Sequence, residues 1–129
     1  MESQIDATVL DLAEHSGDAI LAVDCSGRIL RMNPAAGELF GVSAEAAVGK
    51  RCSEVLNSTL CQEGCPRQQV AASGEGEARF NVSVATGSGE ALPACIGFSA
   101  LRDASGQVIG TVETVRDIRH VLRIIEDRE

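Results

Sequence analysis

Cys61 and Cys65 stand four residues apart in a segment with helical character, a spacing that brings two thiols to one face of a helix. Cys52 lies nine residues before Cys61, across a connection long enough to fold back beside them. Thiolates that converge in this way suit a soft metal or an iron–sulfur cluster. Pro66 follows Cys65, and Cys-Pro ends the ligand run of some clusters. A four-cysteine site would draw its last ligand from Cys25 or Cys95. Strand parity bears on that choice: Cys95 shares a face with Pro93, Gly97 and Ser99, while Leu92, Ile96 and Phe98 take the other. The chain has no CxxC pair of the kind that marks zinc sites. Cysteine is also among the most buried residue types, so the same residues read as small core hydrophobes. A reversible thiol pair is the third reading, between Cys52 and either of the other two, because helical neighbours four apart bond only with distortion.

Other chemistries leave no trace. There is no Ser/His/Asp arrangement, no HExxH, no GxGxxG after a strand and no pair of carboxylates in a pocket-like setting. Gly87-Ser88-Gly89 reads as a hairpin turn rather than a phosphate loop. His15 and His120 fall on flanking helices, where near-neutral titration is their one chemical asset. The expectation is a non-enzymatic protein.

The elements that must position the thiols follow from length and pattern. A chain of 129 residues with 44% hydrophobic content is one domain with a core of its own. Its net charge of −8 repels phosphate backbones and anionic membranes, and three Phe with no Trp or Tyr leave no stacking platform for single strands. No nucleic acid and no membrane are therefore expected as direct partners. No apolar run approaches the ~18 residues of a membrane span. Met1 to Asp6 lacks the features of a signal peptide, so a cytoplasmic location and reduced thiols are expected.

Residues 3 to 15 set Ile5, Val9 and Leu12 on one narrow stripe, a short amphipathic helix that needs a partner surface. Ala19 to Val23 and Arg28 to Met32 form a hairpin about the turn Asp24-Cys25-Ser26-Gly27. Asn33-Pro34 opens a helix that ends at Gly41, and Ser43 caps a short turn through Ala47. Cys61 to Ala72 reads as a longer helix after a connection from Ser53 to Leu60. Alternation about Phe80, Val82 and Val84, then Ala91 to Leu101 and Val108 to Val115, gives three strands joined by Gly-containing turns. Ile118, Val121 or Leu122 and Ile125 mark a last helix whose charged turns read as leaving the domain, the alternative being that both terminal helices cover the sheet. Two terminal hairpins argue for an antiparallel sheet, hence an α+β class.

Asp24-x-x-Gly27-x-Ile29, Asn33-x-Ala35-Ala36, Leu39-x-Gly41 and Gly49-Lys50 together resemble the first half of a PAS sensor domain. Leu101-Arg102-Asp103-x-x-Gly106, Gly110 and Arg116-Asp117-Ile118 resemble its ending, over roughly residues 8 to 120 in all. The resemblance implies a PAS fold: a five-stranded antiparallel sheet with short helices over one face and helices at both ends. It divides the chain into an N-terminal dimerisation helix (1–16), a PAS core (17–117) and an exit or signalling helix (118–129). It implies a homodimer through the first helix and signal relay through Asp117 and Ile118 to an output domain in a longer protein. The spacing of Cys52, Cys61 and Cys65 is similar to PAS domains in front of bacterial sigma-54-type activators and histidine kinases. With helices packed over the sheet that carries it, Cys95 becomes the favoured fourth ligand and Cys25 the alternative.

Two other cofactors of that family are weighed against the residues. Gly49-Lys50-Arg51-Cys52 puts a Cys three after a Gly as in the flavin-binding light sensors, but the flanking Asn, Arg and Phe are replaced by Arg51, Ser53 and Glu54. Haem needs an axial ligand, usually His, and neither His15 nor His120 lies in the central region. Flavin and haem are not expected. What remains is a bacterial sensor, redox- or oxygen-responsive through a cluster on Cys52, Cys61, Cys65 and Cys95, or else a small-molecule-binding or dimerisation-only module with structural thiols.

Overall fold

The computed structural model describes residues 17–58, 61, 66–73 and 77–128. The helix expected over residues 3–15 lies outside them, as does Cys65. Five strands follow the alternation read from the sequence: β1 (Ala19–Asp24), β2 (Ile29–Met32), β3 (Glu77–Ala85), β4 (Ala91–Arg102) and β5 (Val108–Asp117). They form one antiparallel sheet in the order β2-β1-β5-β4-β3. Helices α1 (Pro34–Phe40), α2 (Ala44–Ala47), α3 (Cys52–Val55) and α4 (Arg67–Ser73) lie between β2 and β3 in the chain, and α5 (Arg119–Arg128) leaves the end of β5.

Burial alternates along β1 and β4, as period-two side chains require of a sheet covered on one face. Leu21, Val23, Ile96 and Val115 from the sheet meet Ala36, Phe40, Ala47, Leu56 and Val70 from the helical side in one core. Phe80 and Phe98 meet edge to face, with ring centres 6.1 Å apart and planes at 74°.

Asn33 explains how the first helix is fixed. Its Oδ1 accepts from the Ala36 N–H at 3.0 Å, capping α1, and from the Ile20 N–H at 2.9 Å. Its Nδ2 donates to the Asp18 carbonyl at 2.8 Å, so one buried amide holds both α1 and the start of β1. Gly41 ends α1 at φ 69°, where a Cβ would be strained.

Two expectations need correcting. No single helix spans Cys61 to Ala72, because Pro66 sits in a turn and α4 starts at Arg67. Proline disfavours the helical region for the residue before it, so the helix begins after it. The connection from Ser53 to Leu60 is not irregular throughout, since α3 occupies Cys52–Val55.

Candidate functional site

Between the sheet and α3–α4 lies a cavity of about 180 Å³. Ile96 and Phe98 of β4 and Glu113 of β5 form its buried floor, and Leu56, Ser58 and Cys61 close one side. The exposed residues Ser26, Arg51 and Ser53 stand at its rim.

The segment before α3 is held by backbone pairing. The Gly49 N–H donates to the Ile29 carbonyl, the Ile29 N–H to Lys50, and the Cys52 N–H to Gly27, at 2.8, 2.9 and 2.8 Å. This short ladder continues the β1–β2 turn and delivers Cys52 to the first turn of α3, above β5. The turn is tied by Asp24, whose Oδ1 accepts from Ser26 and Arg28 N–H, each at 2.9 Å.

Opposite stands Glu113. Strand parity puts it on the inner face of β5, between Thr111 and Val115. Its cross-strand neighbours are Leu21 on β1 and Phe98 on β4, and it is only 1% exposed. The Cys52 Sγ donates toward both oxygens, at 3.4 Å to Oε1 and 3.6 Å to Oε2. Burial among apolar side chains pushes the carboxyl up to about 7, and the Cys52 thiol and the positive charge of Arg67 moderate the rise. An ionisable group at that value changes charge near neutral pH, a property that marks functional positions.

Arg67 enters from the first turn of α4. Its Nη1 donates to the carbonyls of Cys25 at 3.2 Å and Asp24 at 3.4 Å. The rest of the guanidinium lies over Gly27, where a Cβ would come 3.1 Å from Nη2. Glycine at 27 therefore leaves the space that Arg67 occupies, besides supplying φ 88° for the turn. Cys61 donates from Sγ to the Leu56 carbonyl at 3.2 Å and contacts Ser58 Oγ at 3.8 Å.

Among the described residues, the sulfur constellation read from the sequence is not assembled. Cys52 and Cys61 line the cavity, whereas Cys95 lies on the opposite face of β4, beside Arg79 and Arg116 in a separate outer pocket. The sheet separates Cys95 from the other two, as the alternation of β4 dictates. Cys25 is exposed in the β1–β2 turn. Among the described residues, no group of three Cys, His, Asp or Glu side chains is arranged to hold a metal ion. A cluster held by Cys52, Cys61, Cys65 and Cys95 thus does not fit, since one ligand is on the wrong side of the sheet. Sequence reasoning missed Glu113 and Arg67. The signal for Glu113 was present, a charged residue at an inward position of a strand beside Val115; Arg67 carried none.

Asp117 and Ile118 mark the join of β5 to α5. Asp117 Oδ1 accepts from the Arg119 N–H at 2.9 Å, and Oδ2 from Arg119 Nη2 at 2.8 Å. The Ile118 N–H donates to the Pro93 carbonyl of β4 at 3.2 Å. Arg119 holds the Asp117 carboxyl below the usual carboxylate range. Among the described residues no helix is long and apolar enough to cross a membrane.

Comparison with known proteins places this geometry. A family model described as the PAS fold matches residues 13–123. No curated protein matches the chain. Among solved structures, a PAS domain from Colwellia psychrerythraea superposes with a TM-score of 0.73 at 18% identity, covering 88% of this chain and 96% of that one. The Vibrio cholerae VqmA dimer, called a LuxR-type receptor, gives 0.73 at 18% identity over 91% of this chain and only 54% of its own, so this chain spans about half its length. VqmA is also known in a complex with a ligand and DNA. The PAS domain of nitrogen regulation protein NR(II) from Vibrio parahaemolyticus gives 0.67 at 20% identity, covering 88% and 100%.

Proposed function

The chain belongs to the PAS fold family, and from that premise we propose that it is a sensory module that binds a small molecule in the cavity over Glu113 and relays its occupancy through α5. The observation that carries this reading is a buried carboxyl, linked to one thiol and facing a half-buried guanidinium, in a cavity of about 180 Å³. A cavity of about 150 Å³ is enough for benzene, so the occupant is a compact molecule. Convergent polar groups set on an apolar wall are what a ligand site needs for orientation and affinity.

Relay follows from continuity of the strands. The floor of the cavity is built from β4 and β5, and the same two strands hold the first turn of α5 through Pro93 and Asp117. A ligand that binds one arrangement of these strands better than another shifts the population of α5 placements; without that difference nothing is transmitted. Val121, Leu122 and Ile124 of α5 are exposed apolar side chains, suited to packing on a second helix in a dimer or on an output domain of a longer protein. VqmA, a dimer of the same fold, gives a precedent for a sensor coupled to a further domain. Iron–sulfur sensing is not part of this reading, because Cys95 lies across the sheet from Cys52 and Cys61.

The test is thermal unfolding followed by far-UV circular dichroism, since the chain has no Trp or Tyr. Protein is screened against compact neutral, anionic and cationic organic molecules. A true ligand at a hundredfold its Kd adds about 2.7 kcal/mol of stability, a rise of about 10 °C in a domain of this size. No shift with any class of compound overturns the reading.

A further inference from the structure

We propose that the cavity selects a small organic carboxylate, whose oxygens bridge the Arg67 guanidinium and the Glu113 carboxyl while its hydrocarbon part lies against Leu56, Ile96 and Phe98. This deepens the small-molecule reading above and rests on it.

Charge bookkeeping at the site gives the sign of the ligand. The ion pairs of Arg116 with Asp18 and of Arg119 with Asp117 are both remote from the cavity. Arg51 and Arg67, both lining it, thus have no carboxylate within ion-pair distance among the described residues. In a chain of net charge −8, two guanidiniums without an ion pair at one opening concentrate positive charge there. An anion is what such an opening attracts.

The shape of Arg67 narrows the class. Its Nη1 is committed to the Asp24 and Cys25 carbonyls, which anchor the side chain without neutralising it. Its Nε–H and Nη2–H donors have no hydrogen-bond acceptor among the described residues, and they form the fork that pairs with a planar carboxylate. Glu113 would repel an anion if it were ionised. Burial raises its carboxyl to about 7, so below neutral pH, where the titration is run, it is mostly protonated, and a protonated carboxyl is a donor. The Cys52 thiol can then serve one Glu113 oxygen while the other gives its O–H to the ligand. A dianionic phosphate would suit this acid poorly and leave the apolar wall unused, whereas a carboxylate with a short aliphatic or aromatic body uses both.

The experiment compares matched molecules on the full chain by calorimetric titration: isobutyrate and benzoate, each against its amide and its amine (isobutylamine, benzylamine). The acids are expected to bind about tenfold or more tightly than either counterpart. Arg67→Gln should remove that preference and Arg67→Lys should restore part of it. Glu113→Gln should keep it, because the amide still donates. Unfolding curves for each variant separate lost binding from lost folding. Tighter binding of amines, binding of amides alone, or a preference for acids untouched by Arg67→Gln overturns the carboxylate assignment and leaves a small-molecule site standing. Failure of all three classes overturns both.

Discussion

The thiol of Cys52 reaches across the cavity to Glu113, with Sγ 3.4 Å from one carboxyl oxygen and 3.6 Å from the other, between residues 61 positions apart in the chain. That contact joins the first turn of α3 to the middle of β5, and it moderates the rise that burial imposes on the Glu113 carboxyl. A lone carboxyl between Leu21 and Phe98 costs stability whenever it is charged, so its retention in the core points to use rather than to packing. The consequences can be measured.

Stability should fall as pH rises through neutrality. Glu113 has an ordinary value of 4.5 when exposed and about 7 in the folded protein, so the folded state holds the proton more tightly. Its contribution is fully present below about pH 4.5 and is lost as pH climbs through about 7. The shift corresponds to about 3 kcal/mol between those limits. Asp103 and Asp117, both held below the usual carboxylate range by their hydrogen bonds, act in the opposite sense and only at lower pH. Urea unfolding between about pH 5 and pH 8 should therefore show declining stability in the native chain and a flat profile in Glu113→Gln, with the variant the more stable at pH 8. An unchanged slope in the variant would show that another group titrates.

Cys52 moderates that behaviour, since its hydrogen bond favours the ionised form of Glu113. In Cys52→Ala the carboxyl should titrate at higher pH than in the native chain, while Cys52→Ser, which keeps a donor, should fall between the two. The readout is the carboxyl carbon resonance of Glu113 followed through a pH titration. A midpoint in Cys52→Ala equal to the native one would remove the thiol from any role in tuning the acid. The cost in folding stability should be about 1 kcal/mol, the net worth of one such contact.

Much of the fold could be read ahead of the coordinates because its signals are local. Alternation in β3 to β5, the Asp-turn-Gly sequences at Asp24 and Asp103, and the cap at Asn33 each follow from a few neighbouring residues. The candidate site was harder, because it is made by pairing distant segments. Cys52 and Glu113 meet only after β1, β4 and β5 have been set in register. The parity of β4 already warned against Cys95, since its face partners Pro93, Gly97 and Ser99 are not core residues; the expectation that favoured it weighed the helices over the sheet above that alternation. Arg67 could not be foreseen, because a long side chain on a first helical turn reads as solvated until the bare backbone at Gly27 is seen beneath it.

Thr111 supplies a prediction of the opposite sign. Its Oγ1 is buried with no hydrogen-bond partner among the described residues, two positions from Glu113 on the same face of β5. A hydroxyl removed from water without a partner costs roughly 1–3 kcal/mol. Valine has nearly the same shape and suits a strand better. Thr111→Val should accordingly raise the free energy of unfolding, read from urea curves at pH 6, by about 1 kcal/mol. A loss of similar size would mean that the hydroxyl is satisfied by an internal water that also matters for the site.

The join at Asp117 should matter more for α5 than for the domain. Its ion pair with Arg119 lies at the surface, with side chains 39% and 51% exposed, so global stability should change by less than about 1 kcal/mol in Asp117→Ala. The hydrogen bond to the Arg119 N–H is another matter, because it caps the first turn of α5 and places a negative charge at the positive end of the helix. Hydrogen exchange of amides in Arg119–Leu122 should quicken severalfold in Asp117→Ala, while amides in β1 and β5 keep their protection. Asp117→Asn, which keeps an acceptor but not the charge, should lie between. If exchange in β5 quickens as much as in α5, Asp117 is part of the sheet's own stability, and the helix is not the separable element that relay from the cavity requires.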